Sequence, residues 1–147
     1  MKNENRKEDG FTLIEMMAVL MIIGLLMSVV AFTILGNTDK ANYDKARFDI
    51  ERYSQALETY KLHMKSFPEE EYGLEALVEL PAGVDNAQNY SPDGYIKKLR
   101  KDPWGEPYIY LNPGDDGKPY DIISYGADKR PGGEEFDRDL SIWDPEE

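Results

Sequence analysis

Apolar residues run almost unbroken from position 11 to position 35, with Glu15 the only ionisable side chain among them. A polar stretch follows, striped by Tyr43, Ala46, Ile50, Tyr53, Leu57, Tyr60 and Met64. At ~1.5 Å per helical residue the first run reaches ~37 Å, longer than the ~30 Å hydrocarbon core of a bilayer, so it can span a membrane. A lone carboxylate near the end of such a segment costs roughly 2.5–3.5 kcal/mol on insertion scales and needs a counter-charge. Gly24, Ser28 and Gly36 are small enough to let neighbouring helices approach. The later stripe advances in steps of three and four, which is helical periodicity. Pro68 cannot continue a helix, so the pattern predicts one helix of ~50 residues that begins in the apolar run and ends near Ser66. Its other faces carry Lys45, Asp49, Arg52, Glu58, Lys61 and Lys65, read as a solvated surface with Asp49/Arg52 and Glu58/Lys61 at ion-pair spacing.

The stripe needs a cover, which must come from downstream. Residues 74–80 read as a short helix closed by Pro81, and residues 82–94 as loop. Residues 108–111 and 120–124 have the aromatic and β-branched content of strands, and the turn-rich residues 112–117 join them into an antiparallel hairpin. A third short strand falls within residues 140–143, which gives a small sheet packed on the helical stripe, an α+β arrangement.

Composition narrows the chemistry. A formal net charge of -12 and an isoelectric point near 4.5 argue against a nucleic-acid binder, which needs clustered Lys and Arg. The absence of Cys removes disulfides, zinc-thiolate sites and thiol nucleophiles. His63, the only histidine, has no nucleophile or second ligand at motif spacing and reads as a surface residue. Trp104 and Trp143 read as core or interface aromatics. The polar residues 1–10 balance Lys2, Arg6 and Lys7 against Glu4, Glu8 and Asp9, and the small residue Gly10 precedes the apolar run instead of following it. Cleavage after Gly10 would therefore keep the membrane segment, unlike removal of a secretory signal.

After the second strand, residues 124–143 form an acidic, Gly-rich loop. Calcium takes six to eight oxygens from carboxylates, carbonyls and water. Asp137 and Asp139 would share a face of an extended segment, and Gly132-Gly133 would allow a turn that brings Asp128 opposite them. Backbone carbonyls of Tyr125 and Ser141 could complete the shell. The competing reading is a merely solvated acidic tail, and no EF-hand pattern is present. Asp115-Asp116-Gly117 reads as a hairpin loop.

Gly10-Phe11-Thr12-Leu13-Ile14-Glu15 resembles the processing signal of type IV pilins and pseudopilins, cleaved between Gly10 and Phe11. Residues 95–99, the Asp102-Pro103-Trp104-Gly105-Glu106-Pro107-Tyr108 string, Ser124-Tyr125-Gly126-Ala127-Asp128 and the ending from Asp137 to Trp143 are similar to the major pseudopilins of type II secretion systems. The resemblance covers nearly the whole chain. It implies a pilin-like fold with a leader at residues 1–10, a transmembrane and polymerisation helix at 11–36 and a periplasmic globular domain at 37–147. A prepilin peptidase would remove the leader and methylate the new amine of Phe11. Subunits would then form a homopolymer in the periplasm, with other pseudopilins at its tip, driven by a secretion platform in the inner membrane. In that filament the Glu15 carboxylate would meet the Phe11 amine of a neighbour and set the axial register. Calcium would be held by Asp128, Asp137 and Asp139, with Tyr125 and Ser141 as carbonyl donors. The role is structural, not enzymatic. Alternatives are a type IV pilin for adhesion or motility, whose usual loop disulfide the lack of Cys forbids, and a membrane-tethered periplasmic calcium-dependent enzyme. Many family members have Pro where this chain has Phe32, and the leader's charge balance weakens the orientation argument from basic flanks.

Overall fold

A computed structural model describes residues 10–145, without the side chains of residues 29–37 and 136. The expected leader, apart from Gly10, lies outside the described residues, as does the side chain of Phe32. A single long helix, α1, covers Leu13–Met64. Three short strands follow, β1 (Ile109–Leu111), β2 (Asp121–Ser124) and β3 (Leu140–Ser141), in sheet order β1-β2-β3. Both pairings are antiparallel, with Tyr110 opposite Ile122 and Ile123 opposite Ser141. The expected helix at 74–80 is instead a tighter 3-10 turn over Gly73–Leu77.

The chain divides into two compact units between Thr38 and Asp39. In the first, the large apolar side chains from Phe11 to Met27 are exposed, from 85% at Phe11 to 47% at Val19. Among the described residues no helix is long and apolar enough to cross a membrane. In this unit the described side chains of α1 run from Leu13 to Ser28, which is ~24 Å at ~1.5 Å per residue. The expected span through Leu35 extends beyond them.

The second unit is built on the stripe of α1. Ala46, Ile50, Tyr53, Leu57, Tyr60 and Met64 are buried, and Leu74, Leu77, Ile96, Tyr110, Tyr120, Ile122 and Leu140 close over them. The core is rich in tyrosine, and several rings place their polar tips on partners, as buried phenols favour. The Tyr53 hydroxyl accepts the Arg100 N–H at 2.9 Å, the Tyr110 hydroxyl donates to the Pro68 carbonyl at 2.9 Å, and the Tyr120 hydroxyl lies 2.7 Å from Ser54 Oγ. These bonds lash the loops to the helix and sheet. α1 ends two residues before the expected Ser66 because Lys65 turns left-handed, at φ +71°. Its N–H still reaches the Lys61 carbonyl at 2.8 Å, so the last turn closes before the chain leaves.

One expectation is corrected. Asp49 does not lie on a wetted face with Arg52: it is 3% exposed, 3.4 Å from Lys45 Nζ and 3.3 Å from the Tyr108 hydroxyl that donates to it. The cause is long-range. Tyr108, just before β1, brings its phenol under α1 beside Tyr53, with ring centroids 5.3 Å apart, and the carboxylate is covered from that side.

Candidate functional site

Two regions carry the chemistry expected from sequence, one in each unit. At the start of α1, Gly10 has open space around it and Phe11 is exposed. Glu15 is exposed as well, and its carboxylate is already engaged. Oε2 accepts the Thr12 N–H at 2.8 Å and the Thr12 hydroxyl at 2.7 Å, while Thr12 Oγ1 lies 3.3 Å from the Glu15 N–H it accepts. This is a capping box, in which Thr12 and Glu15 reciprocally satisfy amides that the first helical turn leaves without partners. Sequence reasoning gave Glu15 a role in charge pairing and missed Thr12. The signal was present, since Thr-x-x-Glu directly before an apolar run is a helix-start signature.

The second region is the acidic loop after β2. Its entry is fixed from below by Asp102, which is 5% exposed. Asp102 Oδ1 accepts the N–H groups of Trp104 and Glu106 at 3.1 and 2.8 Å, and Oδ2 accepts the Ser124 hydroxyl at 2.7 Å. The Asp102-Pro103-Trp104-Gly105-Glu106 turn is thereby tied to the last residue of β2, where the loop begins. Lys129 adds an exposed ion pair to Glu106 at 3.0 Å, which contributes little on its own.

Within the loop the expected ligands are placed as follows. Asp128 is exposed, and its Oδ1 accepts the Arg130 N–H at 3.0 Å. Asp137 is exposed at the end of a 3-10 turn over Glu135–Asp137. Asp139 is half-buried; its Oδ2 accepts the Gly132 N–H at 2.9 Å, and its Oδ1 is buried with no hydrogen-bond partner. Gly132 and Gly133 both have positive φ, at +96° and +94°, and a Cβ on Gly133 would collide with the Asp137 carbonyl. The diglycine turn therefore folds onto Asp137 and Asp139 and does not carry Asp128 across to them. Among the described residues no three carboxylate or imidazole side chains converge to hold a metal ion. Tyr125 is half-buried beside Gly126. Ser141 lies in β3, where its hydroxyl donates to Asp121 Oδ1 at 2.7 Å and its carbonyl accepts the Asp144 N–H at 3.2 Å.

The donor set suits a hard, oxygen-seeking cation. A buried carboxylate oxygen without a partner is costly unless a cation or donor meets it, and Asp139 Oδ1 is such an atom. Arg138, between Asp137 and Asp139, does not turn to it. Its Nε donates to the Tyr43 hydroxyl at 2.7 Å, Nη2 donates to the same oxygen, and the guanidinium lies 5.1 Å from the ring centroid. His63 is exposed, with Nδ1 3.2 Å from the Tyr95 hydroxyl, and Trp143 donates from its ring N–H to the Tyr120 carbonyl at 2.7 Å.

Sequence comparison with known proteins covers nearly the whole chain. Residues 33–143 match the family described as type II secretion system protein G, and residues 5–31 match the prokaryotic N-terminal methylation motif. The type II secretion system core protein G of Pseudomonas aeruginosa is 44% identical over 141 residues, which is 96% of this chain and 99% of that protein. That of Vibrio cholerae is 45% identical over 138 residues, covering 94% of this chain and 93% of the other. Among solved structures, the major pseudopilin from the type 2 secretion system of enterohaemorrhagic Escherichia coli superposes with a TM-score of 0.63 at 40% identity, covering 74% of this chain and 92% of that one. The chain belongs to the type II secretion system protein G family, the major pseudopilins, and is a structural subunit of the pseudopilus in type II secretion.

Proposed function

We propose that the first half of α1 anchors the chain in the inner membrane, with the second unit in the periplasm. A prepilin peptidase cuts between Gly10 and Phe11, and the processed subunits polymerise through their apolar helices without catalytic activity of their own. The observation that carries this reading is the exposure of every large apolar side chain from Phe11 to Met27, with Glu15 the only ionisable group in that stretch. A helix apolar all round is stable only in lipid or against other apolar helices, and the chain offers both environments in turn, membrane first and filament afterwards. Cleavage exposes a new ammonium on Phe11, close to a carboxylate that an apolar filament core would otherwise leave unpaired.

Glu15 then has two separable roles. Capping needs only an oxygen acceptor, which Gln supplies as well as Glu. Pairing with an ammonium on a neighbouring subunit needs the negative charge. Glu15→Gln and Glu15→Ala, expressed in cells with the intact apparatus, are expected to fractionate with membranes and to be trimmed at Gly10, as mass spectrometry of the N-terminus reports. Both are expected to lose filament assembly and secretion. Wild-type assembly by Glu15→Gln would show that charge pairing is not the basis of register.

Calcium is the proposed ligand of the acidic loop, with Asp128, Asp137 and Asp139 as side-chain donors and the carbonyls of Tyr125 and Ser141 as neutral ones. Bound there, the ion would supply the positive charge that neutralises a self-repelling loop. The unpartnered Asp139 Oδ1 supports this. Full-length protein in detergent is expected to melt at a higher temperature in saturating calcium than in chelator, because a ligand that binds only the folded state stabilises it. Equal melting temperatures would remove calcium from the account.

A further inference from the structure

Arg138 lies between two of the carboxylates proposed to bind calcium and reaches away from both. A guanidinium is long enough to compete with an incoming cation for nearby carboxylates if nothing holds it elsewhere. Here Nε and Nη2 both donate to the Tyr43 hydroxyl, and the guanidinium packs near the face of the same ring, 5.1 Å from its centroid. A phenol oxygen has two acceptor sites, so one tyrosine can receive the fork. Tyr43 is the first residue of the α1 stripe and is itself half-buried against the core. The backbone at Arg138 lies in the polyproline II region, at φ -69° and ψ +148°, where successive side chains diverge by about 120°. Holding Arg138 down on Tyr43 therefore turns the flanking positions away from α1.

We propose that the clasp between Arg138 and Tyr43 is a positioning device for the acidic loop. It withholds a competing cation from Asp137 and Asp139, fixes the direction of Asp139, and couples calcium occupancy of the loop to the helix at Tyr43. This inference rests on the calcium reading above and deepens it. Coupling is reciprocal: if the clasp favours calcium, calcium favours the clasp.

The sign of the effect separates this role from simple electrostatics. Removing a positive charge beside two carboxylates should tighten calcium binding if Arg138 acts only through its field. If it acts by position, removal should weaken binding, by ~10-fold on the scale of other residues that orient metal ligands. The experiment is calorimetric titration of the detergent-solubilised full-length chain with calcium chloride, comparing wild type, Arg138→Gln, Tyr43→Phe and the double variant. Tyr43→Phe changes no charge and keeps the ring but removes the acceptor oxygen. Both single variants are expected to lose affinity, and the double variant to lose no more than the larger single loss, because the two residues act as one unit. Calcium should also slow amide hydrogen exchange over residues 40–47 in wild type and not in Tyr43→Phe, a readout that loss of loop packing alone would not produce. Equal or tighter binding by Arg138→Gln, or losses that add, would overturn the positioning role while leaving the calcium site in place. Absence of calcium binding by wild type would overturn the calcium reading and this inference with it.

Discussion

Asp102 shows how one buried carboxylate can organise a region through partners that local spacing does not reveal. Its two oxygens satisfy the N–H groups of Trp104 and Glu106 and the hydroxyl of Ser124, and its own N–H donates to the Glu106 carbonyl at 2.7 Å. Truncation strands one buried and two part-buried donors at once, and each unmet buried donor costs about 1–3 kcal/mol. Asp102→Ala is therefore expected to destabilise the second unit by about 3 kcal/mol or more, measured by urea unfolding of the full-length chain in detergent. Asp102→Asn, which keeps one carbonyl oxygen for the two amides, should lose clearly less. Equal losses in the two variants would mean that shape, not acceptor chemistry, is what the position provides. The same local logic applies to Thr12 and Glu15, whose reciprocal bonds are readable from a four-residue string because they are made within one helical turn. Asp102 was quoted in sequence only as part of a longer resemblance, since its partners lie up to 22 positions away.

At the scale of elements, α1 was legible because periodicity is a property of the helix itself. The stripe from Ala46 to Met64 is buried as its spacing requires, whereas Phe48 and Leu62, apolar but off the stripe, are 65% and 71% exposed. That contrast makes a direct test. Leu57 is fully buried, so Leu57→Ala should cost about 2–5 kcal/mol through lost transfer energy and a residual cavity. Leu62→Ala should change stability by no more than about 0.5 kcal/mol in the same urea experiment. A large loss at Leu62 would place that side chain in a contact outside the isolated chain. The strands were legible from their aromatic and β-branched content, and the hairpin from the turn residues between them. The burial of Asp49 was not, because it depends on Tyr108 arriving from another element. Nor was the internal geometry of the acidic loop. Spacing correctly marked Gly132-Gly133 as a turn, but only the fold shows that the turn packs on Asp137 and Asp139 and leaves Asp128 bonded to its own segment.

For the second unit as a whole, the tyrosine-rich core sets an alkaline limit on stability. Burial pushes the phenols of Tyr53, Tyr60, Tyr108, Tyr110 and Tyr120 above their ordinary value of 10.0, and that of half-buried Tyr90 up to about 12. In each case the apolar surroundings penalise the phenolate. The folded state therefore holds these protons in a range where the unfolded chain releases them. Stability is intact below pH 10 and is lost as the pH climbs towards the folded values, at about 1.4 kcal/mol per pH unit for every tyrosine that ionises only on unfolding. Because several such residues act together, the loss compounds as the pH rises, and the core should fail above pH 10. The expected result is one cooperative step in that range, in which near-ultraviolet aromatic dichroism collapses as the buried rings gain phenolate absorbance. Tyr120→Phe, which removes one ionisable group and only the Ser54 contact, should shift the step to higher pH. Gradual phenolate formation centred on pH 10 with the aromatic dichroism retained would mean that these rings reach solvent in the folded protein, and that the core is looser than its packing implies.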